Sequence, residues 1–541
     1  MRKSVFATAA VVLILAGACG ADPDLRQLGG GATLAKATEV VALDNVFGDD
    51  GADIRIDVGG TVSWANDGRN DHNIVPVAKG ADWGATAQRF RPGDHYSHAF
   101  PTEGVYEYYC SLHGSKTGGM KGRVLVGSVK APPPVADPSV DVAAEASGGT
   151  VRVPADYPTI QKAVDAAQPG DLVLISPGTY REAVDVPETK PYLTIRGLDR
   201  EKVVLDGGLK LANGFKIVKA KGVAIENLTA QNYTKNGFFW TGVEGYRGSY
   251  LTAVRNGDYG VYAFESTKGQ FDHSYASGSP DAGFYIGGCQ PCDALITDVT
   301  SEWNGLGYSG TNAGGNLVIA NSTWRYNRAG IVPNSGSYEP NAPQDDNTIV
   351  GNLVYGNNNG KTPAIDISIT AMGNGILVAG GINDTIERNR VYDHTLGGIV
   401  VITYPENDEY TWEATGNVVR GNVVSGSGLG DLAFFHDFDN AEGGDNCFEG
   451  NTFATSAPKD LEAVIPCTGK GTGNFKAGAF NVVKLAVNDG KPASVPYEKT
   501  VLPPVPPQPQ MPKAATAPGK PAVGLPEKID LAAITVPDAP R

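Results

Sequence analysis

Gly237-Phe238-Phe239-Trp240, Gly260-Val261-Tyr262-Ala263-Phe264 and Gly283-Phe284-Tyr285-Ile286 are copies of one short phrase, a glycine followed by apolar and aromatic residues. The phrase opens again at Gly307 and Gly330 (Ile331-Val332), so the glycines fall 23, 23, 24 and 23 residues apart, and it resumes at Gly375 and Gly398, again 23 apart. Repetition at a fixed period decides architecture before any local propensity does. The units are rich in Gly, Asn and β-branched residues and poor in helix formers, which suits three short strands per coil. Leucine-rich repeats have a similar period but need a leucine ladder that is missing. A right-handed parallel β-helix is expected. A second mark, Asn followed two places later by Thr, Val or Phe, recurs at Asn227, Asn321, Asn352, Asn389, Asn422 and Asn451. These Asn are expected in left-handed turns, which Asn tolerates better than other non-Gly residues, with side chains bonding the coils above and below.

Outward from the repeat, Thr159 to Ala167 spaces its apolar residues as a helix, and Gln168-Pro169-Gly170-Asp171 turns it into Leu172-Val173-Leu174-Ile175. Such a helix would cap strand edges that the end of a solenoid leaves open. Ala131-Pro132-Pro133-Pro134 through Gly149 reads as a stiff linker, and the Pro-rich run after Leu502 as an extended, disordered tail. A chain of 541 residues is long enough for several domains. The division is a signal segment 1–19, a tether 20–36, a first domain 37–127, the linker 128–149, the β-helix 150–480 and the tail 481–541.

The first domain carries Cys110-Ser111-Leu112-His113, then Met120, with Asp71-His72-Asn73 upstream. Two imidazoles and a thiolate in a trigonal set, with a weak axial thioether, are what a blue-copper site requires. The spacing fits if His72 lies on one strand of a sandwich while Cys110, His113 and Met120 occupy the loop joining its last two strands, Tyr106 to Tyr109 and Gly122 to Val126. Of the four methionines, Met1, Met372 and Met511 fall in unrelated segments. One copper ion per chain, held by His72, Cys110, His113 and Met120, is the expectation. His95 and His98 read as exposed hairpin residues rather than a second metal site.

Residues 39–126 also resemble the plastocyanin and halocyanin branch of the cupredoxins, through Gly104-Val105-Tyr106-Glu107-Tyr108-Tyr109-Cys110-Ser111-Leu112-His113-Gly114 and Gly118-Gly119-Met120. The gap from His113 to Met120 is longer than in plant plastocyanins and of a kind familiar in halocyanin-like members. The resemblance implies a type 1 copper site passing single electrons. Asp156 to Gly208 resembles the opening turns of pectin-lyase-like β-helices, including pectin methylesterases and the NosD-type repeat proteins. The Gln, Asp and Arg motifs by which methylesterases act have no counterpart here, and fold-level likeness does not assign chemistry. The fold class is all-β, a cupredoxin sandwich followed by a β-helix.

Arg2 and Lys3, the apolar run from Val5 to Leu15 and the small residues Ala16-Gly17-Ala18 form a secretory signal. Leu15 to Cys19 resembles a bacterial lipobox, with Cys19 the lipidated residue; Ala16-Gly17-Ala18 equally serves an ordinary signal peptidase. The expected place is the outer face of the cytoplasmic membrane or the periplasm, with membrane attachment through the lipid alone. Cys289, Cys292, Cys447 and Cys467 are an even set in an oxidising compartment, and the economical pairing is Cys289 to Cys292 and Cys447 to Cys467. Cys289-Gln290-Pro291-Cys292 lacks the βαβ surroundings of a redox motif and a second CxxC for zinc. The net charge of −15 argues against nucleic acid as a partner.

Three long inserts follow Gly-marked strands, at Asn334 to Asp346, Tyr404 to Thr415 and His436 to Asp445. Inserts at one point of successive coils stack on one side, commonly the binding face. They carry Tyr338, Glu339, Asp345 and Asp346 in the first, and Tyr404, Glu406, Asp408, Tyr410, Trp412, His436, Asp437 and Asp439 in the others. Aromatic planes beside carboxylates suit sugar rings, and the carboxylates suit Ca2+ or acid–base work on a glycan. The inserts hold no Lys or Arg, which a lyase or epimerase would want. Three functions remain: an electron carrier whose β-helix binds carbohydrate or a partner; a polysaccharide lyase, hydrolase or epimerase with an accessory cupredoxin; and copper delivery or storage. The redox partner is left open.

Overall fold

The computed structural model describes residues 38–48, 53–130, 148–407, 409–436, 443–480, 482, 485 and 490–539. The signal segment with Cys19, the tether, most of the linker, and Asp408, Asp437 and Asp439 lie outside the described residues. The architecture is all-β, a cupredoxin sandwich followed by a right-handed parallel β-helix.

The sandwich is built from β1 (Thr38–Leu43), β2 (Val46–Phe47), β3 (Ile54–Ile56), β4 (Thr61–Asn66), β5 (Val75–Pro76), β6 (His95–Ala99), β7 (Gly104–Gly114) and β8 (Gly119–Val126). One sheet has the order β2-β1-β4-β6 and the other β3-β8-β7-β5. Alternation along β4 sends Val62 and Trp64 inward, where they join Val40, Phe47, Phe90, Phe100, Tyr108, Cys110 and Met120 in one core. Trp64 stands edge-on to Tyr108 at 5.4 Å, a favourable aromatic geometry.

In the second domain the repeats stack as three parallel sheets of 12, 10 and 11 strands. Phe238 pairs with Val261 and Val261 with Phe284, which is the period of 23 turned into register. Helix α1 (Ile160–Ala166) caps the open end, with Ile160, Ala163 and Val164 buried and the Thr159 side chain accepting from the Lys162 amide at 3.2 Å.

The asparagines divide into two kinds. Asn227 and Asn321 hold the left-handed turns as expected, at φ 57° and 49°. At Asn352, Asn389, Asn422 and Asn451 that turn belongs to the preceding residue, Gly351, Arg388, Gly421 and Gly450. There the Asn side chain bonds the next coil as anticipated: the backbone amides of Asn352, Asn389 and Asn422 each donate at 2.9 Å to the side-chain oxygen of the following Asn. Each amide group in turn reaches a carbonyl of the coil before, Asn389 to Ile349 at 2.9 Å. Asn389→Leu removes a donor and an acceptor from a buried ladder, leaving neighbours unsatisfied at about 1–3 kcal/mol each. The expected result is a clear fall in the melting temperature of the full chain, and an unchanged melt would remove the ladder from the list of stabilising features.

The Pro-rich tail, expected to be disordered, instead lies against the β-helix. A run of prolines lacks the N–H groups to join a sheet while its carbonyls stay available, and arginine forks on the β-helix take them. Arg328 donates to Ala493 at 2.9 Å, Arg200 to Pro509 at 3.0 Å, Arg196 to Pro518 at 2.9 Å and Arg388 to Leu531 at 2.8 Å. Cysteine sulfurs meet at bonding distance between Cys289 and Cys292 and between Cys447 and Cys467.

Candidate metal centre at the domain junction

Two details of the expected placement change. His72 is not on a strand; it precedes β5 in an extended segment, its amide donating to the Phe90 carbonyl at 3.1 Å. Cys110, His113 and Met120 are not on an open loop either, because β7 and β8 run on past the expected turn as a ribbon with a register shift between Tyr109 and Gly114. Gly114 makes the narrow end possible: a Cβ there would stand 2.7 Å from the Met120 amide nitrogen.

This bulged ribbon brings the donors together. His72 Nδ1 lies 3.0 Å from His113 Nδ1, and Cys110 Sγ is 3.8 Å from the first and 3.6 Å from the second. All three atoms lie within 4.8 Å of one another, and all three residues are buried. Met120 is buried in the core that contains Cys110. Burial, with the nearby Lys235 ammonium, lowers the His72 imidazole to about 3. His113 is likewise pushed far down, by burial first and then by His72. Each neutral ring has one lone-pair nitrogen to offer a cation, while burial raises the Cys110 thiol. Bonds among three such atoms cannot saturate them, whereas one soft cation does, so the donor set fits copper.

Asn73 was passed over as a functional residue in the sequence, yet it fixes the two segments to each other. Its Oδ1 accepts from the Ser111 amide at 2.7 Å and its Nδ2 donates to Ser111 Oγ at 2.8 Å. The signal was its adjacency to His72. His95 is exposed; His98 is half-buried and stacks on Trp83 at 5.7 Å, away from the donor set.

The β-helix covers this centre. Phe215–Val218, Phe238–Thr241, Val261–Phe264 and Ala282–Gly287 are neighbours in one sheet, and their registers place Lys216, Phe239, Tyr262 and Tyr285 in one row. Lys216 Nζ donates to the Ser111 carbonyl at 3.0 Å and to the Gly114 carbonyl at 3.2 Å. Phe239 meets the His113 ring edge-on at 6.4 Å, and Lys235 approaches Asp71 at 3.8 Å. Further along, Asn45 donates to the Tyr262 hydroxyl, and Arg69 sits 3.8 Å above the Tyr338 ring and 3.5 Å from Glu339.

That junction is rich in buried acid. Burial drives Asp281 up from 3.8 to about 7 against the pull of Arg69, and it raises Asp258 and Glu339 as well. The folded state thus holds protons that the unfolded chain releases. Stability from Asp281 is complete below about pH 4 and is lost as pH rises through about 7, at about 1.4 kcal/mol per pH unit. Calorimetry of Asp281→Asn against the parent checks this: the variant should gain in melting temperature between pH 5 and pH 8. A difference independent of pH would show Asp281 to be ionised when folded.

The first two inserts do converge, since Ser337 donates to Glu406 through its amide and its hydroxyl, both at 2.9 Å. They are not an open ligand face throughout. Tyr338 and Glu339 are covered by the sandwich, and Arg69 supplies the cation that the inserts lack. Glu406 also accepts from Trp412 Nε1 at 2.7 Å, which engages its carboxylate, and Tyr404 is half-buried. Tyr410 and Trp412 stack at 5.7 Å with Tyr410 exposed, so this pair keeps the character expected of a sugar platform. His436 stacks on Phe434 at 6.4 Å.

Comparison with known proteins gives two family matches: copper binding proteins of the plastocyanin/azurin family over residues 39–127, and the right handed beta helix region over residues 236–407. A plastocyanin of Scenedesmus fuscus is 36% identical over 80 residues, 14% of this chain and 80% of the plastocyanin. Among solved structures, the A-module of an Azotobacter vinelandii mannuronan C-5 epimerase aligns with 54% of this chain and 90% of its own at 16% identity and TM-score 0.40. A purple cupredoxin from Nitrosopumilus maritimus aligns with 17% of this chain and 99% of its own at 27% identity and TM-score 0.14.

Proposed function

Because this chain belongs, through residues 39–127, to the copper-binding plastocyanin/azurin family, we propose that it is an exported one-electron carrier. Its copper is held by His72, Cys110, His113 and Met120, and its β-helix addresses the sandwich to a polysaccharide or protein surface. The observation that carries this reading is the inward-facing set of two Nδ1 atoms and one Sγ within 4.8 Å. Bound copper supplies a one-electron couple. The chain's own residues exclude water and hold the ligand segments at fixed distance, Asn73 and the bulged ribbon doing most of the second task.

Burial of all three ligands favours electron passage over copper hand-off, because an electron crosses a protein wall and an ion does not. Reversible cycling without metal loss follows from the first, and release of Cu(I) to an acceptor from the second. Visible and EPR spectra of the copper-loaded protein, taken before and after repeated reduction and reoxidation, test it: an intense thiolate band that survives cycling is expected, and a colourless or metal-losing protein overturns the reading.

Cysteine pairs at bonding distance support export to an oxidising compartment, with Cys19 the lipid attachment point at the outer face of the cytoplasmic membrane. Mass analysis of the mature N-terminal peptide tests this. The stacked Tyr410 and Trp412 supply the β-helix with its sugar-facing surface, and a glycan-binding screen of the full chain, repeated with added Ca2+, is its test.

A further inference from the structure

The ligand segment of the sandwich is held by residues that belong to the other domain. Lys216 is 9% exposed, and its ammonium spans the carbonyls of Ser111 and Gly114, which flank Leu112 and His113. Asn213 Nδ2 reaches the carbonyl between them, Leu112, at 3.5 Å. An ammonium so far from water is costly unless it is paired. Its carboxylate partner, Asp185 at 3.3 Å, has 66% of its side chain in solvent and offsets little of that cost. A weakly compensated positive charge therefore sits against the main chain of the ligand segment, in a medium where Coulomb interactions are strong. Beside it in the same row, Phe239 is fully buried and closes over the His113 ring.

We propose that Lys216 and Phe239 complete the copper centre from the β-helix: Lys216 positions the Ser111 to Gly114 segment and holds the reduction potential up, and Phe239 shuts the His113 edge to solvent and to redox partners. This rests on the copper reading above and goes beyond it. In the couple, Cu(II) gains one electron and no bond or proton moves, so the site loses one unit of positive charge on reduction. A neighbouring cation repels the oxidised site more than the reduced one, which raises the potential. A partner cannot place its own redox group against His113 while the domains are docked; exchange has to pass through the remaining walls of the sandwich or wait for the domains to part.

The experiment uses the full chain. Lys216→Met and Lys216→Arg are compared by redox titration of the thiolate absorption band: the Met variant should show a lower midpoint potential, and the Arg variant should restore it close to the parent value. Phe239→Ala is compared with the more conservative Phe239→Leu in the metal-free protein, by the rate at which Cys110 reacts with an aromatic disulfide reagent. That rate reports how often the wall opens, and the Ala variant should react on the order of tenfold faster, the Leu variant much less so. Melting curves for each variant separate a local opening from loss of the fold. Unchanged potential in a blue, folded Lys216→Met protein overturns the role of Lys216, and unchanged thiol reactivity in a folded Phe239→Ala protein overturns that of Phe239. A parent protein without the thiolate band fails at the earlier step, and then the copper reading itself is lost.

Discussion

Cys110→Ser should abolish the colour of the copper-loaded protein and most of its affinity for the ion. The thiolate is the ligand that gives a trigonal His2Cys site its intense charge-transfer band, and a hydroxyl at the same place offers neither the charge nor the soft donor. The fold should survive. Cys110 is fully buried in the sandwich core, so the serine hydroxyl costs roughly 1–3 kcal/mol of desolvation at most, and a melting curve will show that as a few degrees rather than collapse. Met120→Leu is the companion: Met120 would supply bound copper with a weak thioether donor, so its loss should leave the band in place and raise the potential. Optical titration with Cu(II) decides both. A blue Cys110→Ser protein would mean that the ligand set is wrong.

Arg69→Met should weaken the junction between the domains by about 3 kcal/mol, the low end for breaking a buried ion pair, because 28% of the Arg69 side chain still meets water. Arg69 answers Asp44 at 3.1 Å, Glu339 at 3.5 Å and the face of Tyr338 at once. Without it, Asp44 remains buried and loses its cation. The penalty is mostly that of an uncompensated carboxylate, so Asp44→Asn introduced together with Arg69→Met should recover part of it. A double-mutant cycle on melting temperature measures the coupling. Strictly additive losses would show that Arg69 and Asp44 do not act on each other.

The chain announced its two domains plainly. A 23-residue repeat and a Cys-x-x-His with a distant His and Met are long or specific enough to override local ambiguity, and the capping helix was legible from Thr159 and its apolar spacing. Finer placement was harder. Whether Asn or its predecessor takes the left-handed turn depends on a one-residue shift between coils, and the pattern of Asn321 and Asn352 looks alike in sequence although only the first has a positive φ. The extent of β7 and β8 was missed because a glycine-rich Gly114 to Gly119 reads as a loop, while in the fold those glycines let two strands approach. The docking of the domains is carried by no motif, although the sequence holds a signal of it. In strands Phe238–Thr241, Val261–Phe264 and Ala282–Gly287 the residues facing away from the solenoid core are Phe239, Tyr262 and Tyr285, where solvent would favour polar side chains. Three aromatic residues in one outward row meant a covered face.

That row also makes the solenoid a ruler. From Lys216, which clamps the ligand ribbon, the registers step through Phe239, Tyr262, Tyr285 and Ser309 to Val332, just before the insert that carries Tyr338 and Glu339. At about 4.8 Å per parallel strand, those five steps set the two anchorages roughly 24 Å apart, and the sandwich must span that interval to hold both. One coil added or removed between Lys216 and Val332 would shift one anchor by a full strand spacing, so the sandwich would keep either its hold on the ligand ribbon or its hold on Glu339. The count of coils in that stretch is therefore fixed by the width of a different domain, and a repeat that looks freely extensible in sequence is locked over six of the eleven strands of that sheet.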